Sequence, residues 1–430
     1  MFPTGEARER KLDEIARRFR ERLAEEWPAG ETDVTGIEEI VLRIEREVLR
    51  EVTEEMLREQ SGKRPGNQSA CACGGWARYR KDSAQELVTL FGRVGVRRAY
   101  FYCTQCGEGH CPQDRRWGIG PGNTTPGVQS MVGALAAFGA YQQVPRLLQR
   151  VRPQIHLGTK TVELIAQRLG TAVAQSPPPG YERAERKLAA AVDGVILPMR
   201  GGNKEARCGV IYEPDWNCAR TPTACAGLHK EYFATLESRD TLVKRVCARV
   251  AERRPTPDTQ VAALGDGADW IWEGFAKYLP QRVEILDFYH VSERLALIAT
   301  TKFGETAAGK RAGQEWRAAR ETELQVLGPG KLLDLLEAWQ PEKAAGQKVR
   351  EDQLRYFRNQ RERMNYPEYL RLGFPIGSGA VEGACRHVAS DRFRGTGMRW
   401  KSKTAEPLLH LRAALLTRPD LDLRPYAAAS

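Results

Sequence analysis

The stretch AAAVDGVILP, at residues 189–198, places one acid, Asp193, in the middle of an apolar run. A short, continuous apolar run of this kind is typical of a buried β-strand. A carboxylate inside such a strand costs free energy unless it is paired or bound to a metal ion. The stretch therefore predicts a buried strand that carries a functional acid.

Two more acids lie in comparable positions. Asp266 ends the next predicted buried strand, in VAALGDGADW, and Glu382 lies in the first turns of a helix after a glycine loop, in GSGAVEGAC. If the two strands are neighbours, both aspartates lie at one edge of the sheet. Carboxylates that converge in this way suit a pair of divalent cations, which cleave phosphodiesters when they sit ~3.5–4 Å apart. Each acid alone is also explained by an Asp-Gly turn or by the helix dipole, but all three in this order favour a metal site.

The surrounding pattern predicts β-β-β-α-β-α-β, which is typical of an α/β layered domain. The predicted strands and helices cover residues 188–199, 205–212, 232–236, 240–254 (helix), 260–266, 268–278 (helix) and 282–289. From residue 291 to about residue 371 only helical patterns occur. The helical block at 291–373 thus separates the α/β pattern at 185–290 from residues 374–420, which hold Glu382.

Two helical regions precede this core. Residues 1–60 read as two charged helices, with Thr35 and Glu38 at the spacing of a capping box, and this hairpin is expected to pack on the body or on a second copy. Residues 120–175 hold three short predicted helices that could form a helix-turn-helix, with Lys160 at the start of the third. A DNA-reading role and a purely structural role are both open for the trio.

Four of the ten cysteines form two close pairs inside a predicted β region at residues 71–114. They are Cys71, Cys73, Cys103 and Cys106. In an intracellular chain such spacing points to a metal before a disulfide, and four thiolates suit tetrahedral Zn²⁺. Reduced, buried cysteines are the alternative, and His110 or Cys111 could replace one ligand. The remaining cysteines lack ligand spacing and are expected to pack in the interior: Cys208, Cys218, Cys225, Cys247 and Cys385.

Charge points to a polyanionic partner. The net charge is +11 and the pI about 9.2, which favours nucleic acid or an acidic membrane surface. No signal peptide and no membrane span is predicted, so we expect a soluble, cytoplasmic protein. Six cations follow Glu382 and suit a phosphate track, although a solvated basic face is the alternative: Arg386, Arg392, Arg394, Arg399, Lys401 and Lys403.

Five stretches carry a resemblance to a known family. They are VDGVILP (192–198), LGDGADWIW (264–272), ILDFYH (285–290), YFRNQRERMNYPEY (356–369) and GFPIGSGAVEGACRH (373–387). In these motifs, and over the chain from about residue 71 to its end, the sequence resembles the RNase H-like transposases of the ISKra insertion-sequence family, which are kin to Mutator-like transposases.

The resemblance implies roles for particular residues. It assigns Asp193, Asp266 and Glu382 as the catalytic acids, which would hold two Mg²⁺ or Mn²⁺ ions. The family's acid-or-Cys-x-x-His motif, on the strand after the second aspartate, matches Asp287 to His290. His290 would contact the scissile phosphate or orient Asp266, or it is simply a satisfied histidine at the end of a strand. The family usually shows C-x-x-C twice, whereas this chain has C-x-C first.

The resemblance also implies a function. It predicts a nucleoid-associated DNA transposase that binds terminal inverted repeats and target DNA as a homo-oligomer. A transposase-derived DNA-binding protein that no longer cuts is one alternative, and a two-metal nuclease without joining activity is another. A nicking and joining assay separates the three.

Overall fold

The structure is a computed structural model that describes residues 5–61, 66–181, 187–215, 226–253, 256 and 258–429. The chain forms two compact units. The first unit comprises Met1–Ala172 with Asp422–Ser430, and the second comprises Val173–Leu421. Among the described residues, no helix is both long and apolar enough to cross a membrane.

The first unit combines helices with a small sheet. Its elements in chain order are α1 (Gly5–Glu26), α2 (Val34–Ser61), β1 (Gln68–Ala70), β2 (Trp76–Thr89), β3 (Gly92–Tyr102), β4 (Gly109–His110), α3 (Pro112–Arg116), α4 (Pro126–Phe138), α5 (Val144–Val151) and α6 (Thr159–Gln175), which runs on into the second unit. The three short helices that the sequence predicts between residues 120 and 175 are confirmed as α4, α5 and α6.

A long antiparallel hairpin organises this unit. Strands β2 and β3 pair up to Thr89 and Gly92, and β1 and β4 flank them in the order β1-β2-β3-β4. The hairpin predicted at 86–102 is confirmed, but its first strand begins ten residues earlier. Helix α2 packs on β3 and buries Ile44 and Val48.

The start of α2 differs from the predicted capping box. The helix begins at Val34, and the carboxylate of Asp33 accepts the Gly36 N–H at 2.8 Å. Thr35 therefore already lies inside the helix, and Asp33 satisfies the free amide. The capping assignment to Thr35 is wrong because an acid two residues earlier takes the same role.

The second unit is built around a five-stranded sheet. Its elements in chain order are β5 (Lys187–Met199), β6 (Gly202–Asp215), β7 (Ala226–Thr235), α7 (Arg239–Arg253), β8 (Gln260–Gly265), α8 (Asp269–Tyr278), β9 (Val283–Leu286), α9 (Phe288–Phe303), α10 (Ala307–Leu327), α11 (Gly330–Ala338), α12 (Ala344–Asn359), α13 (Tyr366–Arg371), α14 (Gly379–Ala384), α15 (Asp391–Phe393) and α16 (Ser402–Thr417). A last helix, α17 (Arg424–Ala429), belongs to the first unit.

The sheet is mixed, in the order β7-β6-β5-β8-β9. Strands β7, β6 and β5 are antiparallel, whereas β5, β8 and β9 run parallel. Side chains alternate between the two faces of a strand. Gly209 of β6 faces Val246 of α7, whereas Asp193 of β5 faces Cys385 from the segment after α14. Helices thus cover both faces, and the predicted β-β-β-α-β-α-β order is confirmed.

One predicted strand is too long. Strand β9 ends at Leu286, because Asp287 caps helix α9 by accepting the Tyr289 N–H at 3.1 Å. His290 therefore lies in the first turn of α9 and not on a strand, which corrects the predicted position of the Asp-x-x-His motif.

Candidate active site

Asp193 and Asp266 lie side by side at the same edge of the sheet. Strands β5 and β8 are parallel, with Ala191 level with Leu264. Two residues further along each strand, this register reaches Asp193 and Asp266. The expectation that the two strands are neighbours is therefore confirmed.

The same row continues onto the third parallel strand. Gly265 is level with Leu286, so Asp287 follows beside Asp266, and the Asp287 N–H donates to the Gly265 carbonyl at 2.9 Å. Asp266 and Asp287 thus follow the carboxyl ends of β8 and β9, beside Asp193 in the middle of β5. Ligand sites in open α/β sheets are found at this edge.

The electrostatics of Asp193 suit a bound cation. Burial is the main cause that raises the pKa of Asp193, and the charge of Asp266 raises it further. The Gly194 N–H, which donates to the Asp193 carboxylate at 2.6 Å, and the nearby His290 act in the opposite direction. An acid whose charge is penalised by burial and by an acidic neighbour gains from a cation between them.

This raised pKa predicts a pH-dependent stability difference. In metal-free protein, Asp193→Asn should raise the melting temperature at pH 7, because it removes a charge that burial and Asp266 disfavour. The stability that neutral Asp193 allows is fully present below its unfolded pKa of ~3.9 and is lost as pH rises through the raised folded pKa. Melting curves in EDTA from pH 4 to pH 8 should therefore show the variant's advantage growing with pH. An Asp193→Asn variant that is less stable than wild type by the same amount at every pH would contradict this.

Asp287 acts as a buried clamp. Its side chain is 1% exposed, and its carboxylate accepts the Ser378 N–H at 2.8 Å and the Ser378 hydroxyl at 2.5 Å. The Phe288 N–H donates to the Ile376 carbonyl at 2.9 Å in the same place. Asp287 therefore ties the start of α9 to the glycine loop that precedes Glu382.

His290 borders this clamp and lies near Asp193. Its Nε2 is 3.6 Å from the Asp287 carboxylate, and its Nδ1 is 3.4 Å from Glu293. A positive charge on the ring would lower the pKa of Asp193.

Glu382 lies on a helix that packs against the Asp193 strand. Helix α14 contacts β5, β6 and β7. One turn after Glu382, the Cys385 thiol is 3.9 Å from the Asp193 carboxylate. Glu382 itself is exposed. The three carboxylates are less tightly gathered than the cysteines, which form the one group in the described ranges whose ligand atoms all lie within 4.8 Å.

The helix that carries Glu382 continues as a π-helical segment at Cys385–Ser390. π-Helical turns are rare and frequent at functional sites. The buried guanidinium of Arg412 donates to the carbonyl of Val388 at 2.7 Å and also to that of His387. Arg412 thus satisfies carbonyl groups of this segment. Nothing in the local sequence distinguishes it from the other arginines.

The cations after Glu382 do not share one environment. Arg392 is 3% exposed and its guanidinium stacks on Trp400 at 5.0 Å. That position corrects its prediction as a DNA contact, because the group lies inside the protein. The other five are exposed: Arg386, Arg394, Arg399, Lys401 and Lys403. The segment that carries them is joined to the end of β5, because Arg200 N–H donates to the Trp400 carbonyl at 2.8 Å.

Lys160, on the first unit, lies at the start of α6 as predicted. Its side chain is 71% exposed and its ammonium is 2.9 Å from Glu163.

The four paired cysteines meet in one place. The sulfurs of Cys71 and Cys106 are 3.6 Å apart, and those of Cys73 and Cys103 are 3.7 Å apart. Sulfurs around tetrahedral zinc, with Zn–S bonds of ~2.3 Å, lie about 3.8 Å from one another. This cluster can hold a metal ion. Both sulfurs of the C-x-C pair, Cys71 and Cys73, belong to this cluster.

The loops around these cysteines are built alike. Cys71 and Cys103 each accept a backbone N–H from a glycine at positive φ, Gly74 and Gly107. The Cys106 N–H is the largest cause that lowers the pKa of Cys103, to about 7. A thiol with a lowered pKa is readily ionised for metal binding. His110 instead stacks on Phe101 and lies 3.3 Å from Ser69.

The remaining cysteines fit the packing interpretation where the structure describes them. Cys208, Cys247 and Cys385 are buried. Cys218 and Cys225 lie outside the described residues.

Comparison with known proteins assigns the chain to a family. No curated protein matches the chain. A solved structure similar to it is the Drosophila P element transposase strand transfer complex, at 8% sequence identity and a TM-score of 0.36, covering 70% of this chain and 93% of that chain. The family model described as "Uncharacterised protein family (UPF0236)" matches residues 23–421. Because that match spans most of the sequence, the chain belongs to the UPF0236 family.

Proposed function

We propose that this protein is a DNA transposase of an insertion sequence, of the RNase H-like kind that the ISKra-family resemblance implies. One observation carries the proposal. Asp193, in the middle of β5, and Asp266, directly after the end of β8, follow the last paired residues of two adjacent parallel strands, and the helix that holds Glu382 packs on the same strand as Asp193.

The donor set fits Mg²⁺ or Mn²⁺. Carboxylate oxygens are the hard ligands these ions prefer, and the raised pKa of Asp193 favours a cation beside it. Asp193, Asp266 and Glu382 would hold the two ions between them. Such ions activate the attacking oxygen and stabilise the leaving oxygen of a phosphodiester. The attacking group is water in strand nicking and the freed 3′-OH in strand transfer.

The protein's own side chains orient this site. Both carboxylate oxygens of Asp287 accept hydrogen bonds from Ser378. Asp287 would therefore fix the glycine loop that precedes Glu382. His290 lies in the first turn of α9, where its ring can contact a scissile phosphate or orient the acids. The RNase H-like core would comprise 185–290 and 374–420, with 291–373 as a helical insertion.

The other regions would recognise DNA. We propose that the four-cysteine cluster holds structural Zn²⁺ in a zinc-ribbon-like region at 71–114. That region and the helices at 120–175, with Lys160 exposed, would read terminal inverted repeats. Helix α2 of the 1–60 region packs on β3 of its own chain. A second copy of the chain would take part because transposition requires two DNA ends in one complex.

Five exposed cations near the acids form the proposed phosphate track, from which Arg392 is excluded by its burial. Replacing Arg394, Arg399 and Lys401 together by Gln should weaken DNA binding at every sequence. The slope of log affinity against log salt should fall by about 2–3, because each lost phosphate contact contributes about 0.9. Fluorescence anisotropy over a salt series measures both the DNA affinity and the slope of its salt dependence.

A matched triple variant controls for lost charge. Lys343, Lys348 and Arg355 are exposed cations of the helical insertion, and replacing them by Gln removes the same net charge. If both triple variants lose equal affinity and slope, binding depends on net charge alone and the track is wrong.

The deciding experiment is a nicking and joining assay on the repeat ends, with Mg²⁺ present and absent. Asp266→Asn should abolish both reactions, whereas Asp269→Asn, an exposed acid three residues later, should leave them intact. Nicking without joining would indicate the nuclease alternative. Specific binding without nicking would indicate a DNA-binding descendant. Equal activity in wild type and Asp266→Asn would overturn the assignment of the catalytic acids.

A further inference from the structure

Two side chains of the helical insertion hold the turn that carries Asp266. The Tyr356 hydroxyl donates to the Asp266 carbonyl at 2.8 Å, and the Gln360 amide donates to the Gly267 carbonyl at 3.0 Å. Gly267 has φ +95°, and a Cβ there would lie 2.7 Å from the Tyr356 hydroxyl. The close approach therefore requires glycine at this position.

The Tyr356 ring is held in place by two neighbouring side chains. The Arg294 guanidinium stacks on its ring at 3.4 Å and donates to the side-chain amide oxygen of Gln353 at 3.1 Å. The Phe357 ring meets it edge-on, with centroids 5.4 Å apart. A donor that is packed this firmly presents its hydroxyl in one direction.

The target of these bonds distinguishes them from ordinary packing. Tyr369, in the same helical insertion, also donates to a backbone carbonyl at 3.0 Å, but its acceptor is Glu362 within the insertion. Tyr356 and Gln360 instead reach the peptide groups of Asp266 and the residue after it. Those peptide planes set where the Asp266 side chain points, because its Oδ1 accepts the Ala268 N–H of the same turn, at 2.9 Å.

We infer that Tyr356 and Gln360 are positioning residues that aim the Asp266 carboxylate, so that the helical insertion is needed to form the metal site. The inference rests on the proposed function. In this inference the helical insertion orients a metal ligand, which the acids and the sheet do not do by themselves.

The test measures metal binding and local exchange in the full chain. Mn²⁺ affinity is taken from the free-ion EPR signal in wild type, Tyr356→Phe, Gln360→Met, Tyr369→Phe and Asp266→Asn. Tyr356→Phe should bind Mn²⁺ about tenfold more weakly, as is usual when a group that orients a metal ligand is lost. Tyr369→Phe loses a bond of the same kind but should stay within about twofold of wild type, because its partner is remote from the ligand.

Hydrogen exchange gives a readout that needs no metal. The Ala268 amide should exchange faster in Tyr356→Phe and Gln360→Met than in wild type or Tyr369→Phe. Equal Mn²⁺ affinity and equal exchange in Tyr356→Phe and Tyr369→Phe would overturn the inference while leaving the proposed function standing. If Asp266→Asn binds Mn²⁺ as wild type does, the metal assignment itself is wrong and the inference falls with it.

Discussion

Glu382→Gln should reduce the rate of Mg²⁺-dependent strand cleavage by at least about a thousandfold, because metal ions supply several kcal/mol of transition-state stabilisation and each 1.4 kcal/mol is tenfold. The side chain is exposed, so the melting temperature should stay close to that of wild type. Single-turnover nicking of end DNA at saturating protein measures the rate without a contribution from binding.

Two further variants sharpen this expectation. Glu382→Asp keeps a carboxylate on a shorter stem and should retain more activity than the Gln variant. Glu315→Gln removes an exposed glutamate from α10 and should cleave at the wild-type rate. Wild-type cleavage by Glu382→Gln would remove this residue from the site and leave the two aspartates without their third partner.

Strands β5 and β8 were predictable from the sequence because the residues that define them are neighbours along the chain. Apolar runs bounded by glycine, proline or charge mark β5 and β8, and their ends fall within a residue or two of the predictions. The position of the two aspartates followed from that pattern together with the assumption that the strands are neighbours. A buried acid in an apolar strand is conspicuous in any sequence.

Two of the errors involve a capping side chain. The run to Tyr289 continues the strand pattern, but Asp287 ends β9 by starting α9. Asp33 likewise starts α2 ahead of Thr35. In each case a short-range hydrogen bond to a free backbone amide decides the boundary, whereas hydrophobic pattern alone places it a few residues away.

The long-range contacts around the site could not be predicted from the sequence. Ser378 meets Asp287, and Tyr356 meets Asp266, across about ninety residues, and no spacing rule connects such pairs. For Arg392, by contrast, a partner nearby in the sequence was overlooked. It stands in a run of cations that predicts a surface, yet it packs on Trp400, a residue close enough in sequence to have indicated a cation–π partner.

Loss of zinc should unfold the region at residues 71–114, because structural zinc supplies folding free energy on the order of 10 kcal/mol in small zinc domains. The purified chain should contain one zinc ion, and Cys103→Ser should lose it. Elemental analysis by mass spectrometry gives the metal content, and near-UV circular dichroism with limited proteolysis gives the state of the β2–β3 hairpin. A strong chelator should reproduce the effect of the substitution on wild type.

Cys111→Ser is the matched control for this substitution. Cys111 follows β4 directly and lies outside the group of four sulfurs, so its loss should leave both zinc content and proteolysis unchanged. Cys73→Ser should behave as Cys103→Ser does, since their sulfurs are 3.7 Å apart, and this outcome tests the unusual C-x-C pair directly. A Cys73→Ser protein that keeps its zinc would show that another group completes the site. His110, whose Nε2 lies 3.3 Å from the Ser69 hydroxyl, would then be the residue to replace next.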